Sequence, residues 1–315
     1  MLVLRDFREL SQLTAPLALA IGVFDGIHPG HLAVIQSARE MADRVHGTLV
    51  VMTFDPHPLK ILRQRQPPRL TSLKHRLLLL RKSGVPCTLV QSFDEEFSVL
   101  PAEEFVINLA EQGPRLSSIT VGRGWGFGYG RRGNVEMLER MGSLYDFQVN
   151  AVEPICHHGE IISSSLIRQT LEGGDLAGGA RLLGRDYSVY GEVVHGDKRG
   201  RGIGFPTANL LLDDELMPPS GVYAVRVSIY DPDGWEVEET VPGVANIGVR
   251  PTVNGSNSER RLEVHLLQGG RDLYGRCLEV TFVAHLRSEH KFPSIEALKQ
   301  QISLDARQAA KLLGV

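Results

Sequence analysis

The 315-residue sequence holds three cysteines, Cys87, Cys156 and Cys277, far apart and without a C-x-x-C pair. That spacing excludes a zinc knuckle and a disulfide framework, and it suits a reducing compartment. Basic residues do not exceed acidic ones: 34 Lys and Arg face 37 Asp and Glu, a net charge of −3. A nucleic-acid binder usually needs a basic excess to displace counterions, so that class is disfavoured, whereas a local phosphate site is not. No apolar run approaches the ~20 residues of a membrane span. The N-terminal MLVLRDFREL breaks each apolar run with charge and does not read as a signal peptide. The expectation is a cytoplasmic protein with no membrane partner. Nothing in the residue pattern sets an oligomeric state.

What is present is the composition of an ordinary folded chain, 42% hydrophobic and 23% charged, long enough for two domains. Residues 17–23 read as a buried strand. From His31, Leu32, Ile35, Ala38, Ala42 and Val45 recur at the period of an amphipathic helix. Strands are expected at 48–54, 87–90, 118–122 and 149–154, with helices at 73–82 and from Pro101 to Gly113. Alternating elements of this kind predict an α/β domain with a parallel sheet and helices on both faces. Past a glycine-rich patch at 173–180 the runs become short and β-branched, which predicts an antiparallel β-barrel closed by a terminal helix over about 294–313. The expected boundary lies near Leu183–Arg185, giving domains 1–183 and 184–315.

Three groups of residues carry chemistry. Directly after the first buried strand, Gly22 and Gly26 permit a tight turn into a helix whose N-terminus favours an anion. His28 and His31, three residues apart, face one way on its first turn and suit a phosphoryl group. Read alone, the turn fits solvated histidines equally well. In I162-S-S-S-L-I-R168, Ser163 or Ser164 is a natural N-cap, and Arg168 reaches back across phosphates. In the second half there is no Walker motif. Instead G200-R-G-I-G-F-P-T-A-N-L210 offers Gly202 and Gly204 as a flap, or a plain hairpin, and Thr207 and Asn209 as neutral oxygen ligands for Mg²⁺ with ATP. On RLEVHLL, Leu262, Val264 and Leu266 share a face, leaving Glu263 and His265 on the other.

Together these motifs resemble the bifunctional bacterial riboflavin kinase/FAD synthetase family, within the nucleotidyltransferase superfamily marked by H-x-G-H. T53-F-D-P-H-P58, P68-R-L-T71, S164-S-L-I-R168, G204-F-P-T-A-N209, A245-N-I-G-V-R-P-T252, L273-Y-G275 and L286-R-S-E-H-K-F292 follow that family's order. The resemblance implies that Gly22, Phe24, Asp25, Gly26, His28, His31, Ser164 and Arg168 bind ATP, with FMN adenylated to FAD. It implies further that Gly202, Gly204, Thr207 and Asn209 hold MgATP while Glu263 acts as general base on riboflavin. Asn246 and Arg287 are candidate flavin contacts. In V121-G-R-G-W-G-F-G128, Gly124 stands where the family usually has an acidic or amide residue, and Gly126 likewise lacks a side chain. These glycines predict a looser loop and raise an alternative, a riboflavin kinase with an impaired adenylyltransferase domain.

Overall fold

The computed structural model describes residues 1–63, 67–196, 204–251, 258–269 and 271–315. The chain divides into two compact units: Met1–Pro67 with Arg76–Ser164, and Pro68–His75 with Ser165–Val315. In chain order the strands are β1 (Leu2–Leu4), β2 (Leu17–Ile21), β3 (Thr48–Asp55), β4 (Cys87–Ser92), β5 (Leu116–Gly122), β6 (Gln148–Val152), β7 (Cys156–His157) and β8 (Glu160–Ile161). They continue with β9 (Ser188–Val194), β10 (Ala208–Leu212), β11 (Gly221–Tyr230), β12 (Val237–Pro251), β13 (Ser258–Leu266) and β14 (Cys277–Arg287). The helices are α1 (Pro29–Arg44), α2 (Pro58–Arg63), α3 (Leu73–Lys82), α4 (Glu95–Ser98), α5 (Ala102–Glu111), α6 (Val135–Tyr145), α7 (Ser164–Glu172), α8 (Leu176–Leu183) and α9 (Ile295–Leu313).

The first unit is built on a six-stranded sheet in the order β1-β4-β3-β2-β5-β6, every pair parallel. Its strands alternate strictly, because successive side chains leave opposite faces. Leu17, Leu19, Ile21, Val50 and Met52 pack in one core cluster with Phe105 of α5 and Leu138 of α6. Ala18, Ala20, Leu49 and Val51 face the other way, against Val34, Ile35 and Ala38 of α1. The small alanines let that helix approach closely. Helices therefore cover both faces, as the sequence pattern implies for a parallel sheet. The chain runs from β2 to β3 and β4 on one side, then to β5 and β6 on the other, so a switch point opens beyond the carboxyl ends of β2 and β5. In open α/β sheets that crevice is where ligands bind.

The second unit is a closed barrel, β10-β13-β12-β11-β14-β9, with every neighbouring pair antiparallel. The terminal helix α9 buries Ala309 against Val222, Ala224 and Val244. Ser294 caps it, accepting from the Ala297 amide, and Gly314 ends it at φ 78°. The glycine-rich stretch at 173–180, read from sequence as the patch where the α/β pattern stops, is largely helical. Asp175 caps α8 by accepting from the Gly178 amide, and Gly184 closes it. Gly178 and Gly179 persist inside because there is no room for more: a Cβ on Gly179 would drive into the Leu171 side chain.

Residues 68–75, which sequence alone joins to the α/β half, belong to the second unit through a buried polar network. His75 is 1% exposed, with Nδ1 3.1 Å from Glu215 Oε1 and Nε2 3.3 Å from Glu279 Oε1. Glu215 also accepts from the Ser72 amide at 2.6 Å and the Tyr190 amide at 2.7 Å. Glu279 accepts from the Ser188 and Tyr230 hydroxyls at 2.9 and 2.8 Å. Burial by itself lowers the pKa of His75, but the two carboxylates prevail and hold it up at about 9. Because the folded-state value exceeds the ordinary ~6.5, the protonated form is the stabilised one. The contribution is complete below about pH 6.5 and lost as pH rises through about 9. Thermal melting at fixed ionic strength should show the midpoint falling across that window. The His75→Gln protein should melt lower at pH 6 and lose most of this slope. An unchanged slope in the variant would assign it to another group.

Candidate active sites

In the first unit, the turn after β2 puts constrained backbone on the sheet's carboxyl edge. Phe24, Gly26 and Ile27 have φ of 53°, 86° and 42°. A β-branched residue in that region is a true outlier, and strain of this kind clusters at functional sites. Phe24, Asp25 and His28 are buried, at 1%, 2% and 6% exposure. Three side chains hold the turn. The Thr53 hydroxyl donates to Val23 O at 2.9 Å. Arg76 Nη1 donates to the same carbonyl at 2.9 Å, to Thr53 Oγ1 at 2.8 Å and to Phe54 O at 3.1 Å. Ser164, the first residue of α7, donates from its hydroxyl to Asp25 O at 2.9 Å.

His28 is the N-cap residue of α1 and Pro29 occupies the next position. The imidazoles of His28 and His31 stack at 3.6 Å between centroids with 21° between planes, so the two rings do present together. Gly30 makes this possible, since a Cβ there would stand 3.1 Å from His28 Cε1. Arg168 lies in the second unit, 8% exposed, and its Nε donates to Pro68 O at 2.9 Å.

At the same sheet edge a cavity of about 490 Å³ runs from Val23 past Phe54, Phe93 and Phe97 to the 124–128 segment. Trp125 and Phe127 stack on its wall at 4.6 Å and 13°. The glycine-rich loop is tied down: Phe127 and Gly133 exchange both backbone hydrogen bonds, at 3.1 and 2.9 Å.

In the second unit a cavity of about 330 Å³ brings together Thr207, Asn246, Glu263 and Arg287. Strand register explains the grouping. Glu263 stands opposite Asn209 on β10 and opposite Asn246 on β12, so a carboxylate is flanked across the sheet by two neutral amides. Leu262, Val264 and Leu266 are buried while Glu263 and His265 are partly exposed on the other face. Arg287 is held by a bidentate ion pair with buried Asp305 of α9, Nε to Oδ1 at 3.1 Å and Nη2 to Oδ2 at 2.9 Å, and Nη1 donates to Ser288 O at 3.1 Å. Asn246 donates to Glu289 Oε1 at 3.3 Å. Gly204 has φ 88°, and Gly202 lies outside the described residues. Among the described residues no cluster of three His, Cys, Asp or Glu side chains could hold a metal ion. The hydroxyl of Thr207 and the amide oxygen of Asn209 are hard neutral donors. That donor set fits Mg²⁺ completed by phosphate oxygens and fits a softer ion poorly.

A family model for FAD synthetase matches residues 10–166, and one for riboflavin kinase matches 183–313. The bifunctional riboflavin kinase/FMN adenylyltransferase of Escherichia coli (strain K12) is 39% identical over 317 residues, covering 100% of this chain and 99% of that protein. The chain belongs to the bifunctional riboflavin kinase/FMN adenylyltransferase family. The Haemophilus influenzae member (strain ATCC 51907 / DSM 11121 / KW20 / Rd) is 36% identical, with 98% of each chain covered. A solved Streptococcus pneumoniae structure titled macrolide-efflux protein superposes over 98% of both chains, with a TM-score of 0.81 and 30% identity. Members of this family are ATP-dependent kinases and adenylyltransferases, and nothing in the comparisons favours a kinase alone. Among the described residues no helix is long and apolar enough to cross a membrane.

Sequence reading missed Arg76 and Asp305. Arg76 is fully buried, and its only sequence sign is that position 76 shares a helix face with Leu80. Asp305 gives itself away only weakly, as an acidic residue between apolar positions 302 and 306 of an amphipathic helix.

Proposed function

We propose that residues 184–315 phosphorylate riboflavin and residues 1–183 adenylate the resulting FMN. The single observation that carries the first assignment is the meeting of Thr207, Asn246, Glu263 and Arg287 around one cavity. On this reading the flavin lies in that cavity with its ribityl chain toward Glu263. Glu263 takes the proton of the 5′-hydroxyl as that oxygen attacks the γ-phosphorus of ATP and ADP leaves. The side chains of Asn209 and Asn246 that flank it across the sheet are neutral amides. Thr207 and Asn209 hold Mg²⁺, which when bound offsets phosphate charge. Gly204 lies in the segment that covers the phosphates. Arg287, already committed to Asp305, acts by shaping the wall the flavin packs on.

For the second reaction, FMN's ring enters the aromatic cavity beside Trp125 and Phe127, and its phosphate oxygen attacks the α-phosphorus of a second ATP, expelling pyrophosphate. Gly22, Phe24, Asp25 and Gly26 form the turn that receives the nucleotide. His28 and His31 donate to the phosphoryl oxygens as charge develops, and Ser164 holds the nucleotide's phosphates. Such a step depends on positioning and charge stabilisation rather than on a covalent intermediate. The cytoplasm, which supplies ATP and keeps the three cysteines reduced, is the compartment this chemistry suits.

Product accounting tests the reading. With riboflavin, ATP and Mg²⁺, one ADP should appear per FMN formed and one pyrophosphate per FAD. ADP without pyrophosphate, even with FMN supplied, would favour the kinase alone.

A further inference from the structure

The adenylyltransferase cavity contains a cation that no part of the preceding chemistry uses. Phe54, Phe93, Phe97, Trp125 and Phe127 make its wall aromatic, and among the described residues no carboxylate lines it. Of the polar side chains there, Ser98 donates its hydroxyl to Glu95 O at 2.7 Å, and His57 Nδ1 accepts from the Leu59 amide at 3.2 Å. Among the described residues that line the cavity, Arg131 carries the guanidinium. A planar heteroaromatic ligand in an apolar slot gains its orientation from a few well-placed polar groups, and a guanidinium offers a flat fork of donors.

The backbone presents this side chain in an unusual way. Arg131 has φ 56°, between Gly130 at 63° and an Arg132 that has returned to ordinary helical geometry, and its amide donates to Gly128 O at 3.0 Å. A long side chain in the left-handed region is uncommon and marks a constrained position. Its head group lies against Gly126: a Cβ on that residue would stand 3.0 Å from Arg131 Nε and 3.2 Å from Nη2. A Cβ on Gly124 would meet nothing within 4 Å. The two glycines that depart from the expected pattern therefore clear a wall, and Arg131 is the side chain that lies on it.

We propose that Arg131 orients FMN for adenylation by donating from its guanidinium to a carbonyl oxygen on the pyrimidine edge of the flavin ring. This rests on the reading that the aromatic cavity takes that ring. Arg131 is a specificity-determining residue in this role. The empty position at Gly124 is then no defect, because the polar contact arrives from Arg131.

The test uses the full-length chain with FMN supplied directly. Arg131→Met should raise KM for FMN about 10-fold or more, the usual consequence of deleting a hydrogen bond from a charged donor, with KM for ATP unchanged. Riboflavin phosphorylation by the same preparation reports that the protein is folded. Gly126→Ala, which pushes the guanidinium from its seat, should give a smaller rise in the same constant. Wild-type protein should also discriminate against 2-thio-FMN or 4-thio-FMN, whose sulfur accepts poorly, and Arg131→Met should lose that discrimination. Retained discrimination in the variant, or a change confined to KM for ATP, would overturn the assignment. Trp125→Ala separates the two levels. If it raises KM for FMN while Arg131→Met does not, the cavity takes the flavin and Arg131 does not orient it. If Trp125→Ala leaves KM for FMN unchanged, the cavity is not the flavin site and both fall.

Discussion

Riboflavin phosphorylation by the Glu263→Gln protein should fall about 10²- to 10⁴-fold, the usual worth of a positioned general base. FAD formation from supplied FMN should stay within about twofold of wild type. Glutamine keeps the shape of the side chain and its place between Asn209 and Asn246, so the loss would report the missing proton acceptor and not a rebuilt barrel. Because a base acts in the chemical step, the change should fall on kcat, with KM for riboflavin little altered. Paired substrate-saturation curves for the two reactions are the measurement. Equal loss of both activities in protein that melts normally would contradict a division of labour. A purely raised KM would recast Glu263 as a binding residue.

His28 and His31 carry the second large effect. Replacing both by alanine should lower FAD synthesis from FMN by about 10³-fold or more. Loss of a single preorganised donor to a developing oxyanion typically costs ~10²–10³-fold. The single variants should together fall short of or exceed the double, since stacked rings at 3.6 Å act as one unit and their effects need not add. His28, the N-cap residue, makes no side-chain cap hydrogen bond, so the helix should survive the changes. Steady-state pyrophosphate release reads the loss, and undiminished riboflavin phosphorylation in the same sample shows that the chain is folded. An activity loss below about fivefold in the double variant would remove the pair from the phosphate site.

The parallel sheet was legible because short apolar runs alternate with helical segments, of which His31–Val45 repeats at helical spacing. The barrel was legible from short β-branched runs broken by turn residues. The α8 helix was not. Its glycines argue against a helix locally, and only the packing of Leu171 on Gly179 and the capping by Asp175 make them acceptable. The grouping of residues 68–75 with the second unit is hidden for a related reason. What binds them is a set of partners more than a hundred positions away, Glu215 and Glu279 to His75, and no window on the sequence holds both ends.

The site residues divide in the same manner. His28 with His31, and Thr207 with Asn209, sit close in sequence, so their pairing shows in a short motif. Asn209, Asn246 and Glu263 come from three strands, and only register sets them side by side. Arg76, Arg131 and Asp305 work through contacts whose meaning depends on what a turn or an adjacent glycine leaves open, and a sequence motif does not record that. Gly124 and Gly126, which by themselves suggest a weakened loop, take on another sense once Arg131 is seen lying against the second of them.

On this reading one chain carries two transfer sites that can be inactivated separately, with FMN the product of one and the substrate of the other. Mixing tests this most directly. The Glu263→Gln protein and the His28→Ala/His31→Ala protein would be incubated with riboflavin, ATP and Mg²⁺, alone and together, with riboflavin, FMN and FAD separated by chromatography over time. Alone, the first should form almost no FMN, and the second should accumulate FMN without FAD. Together they should carry riboflavin through to FAD. FAD appearing with either variant alone, or no FAD in the mixture, would contradict the account.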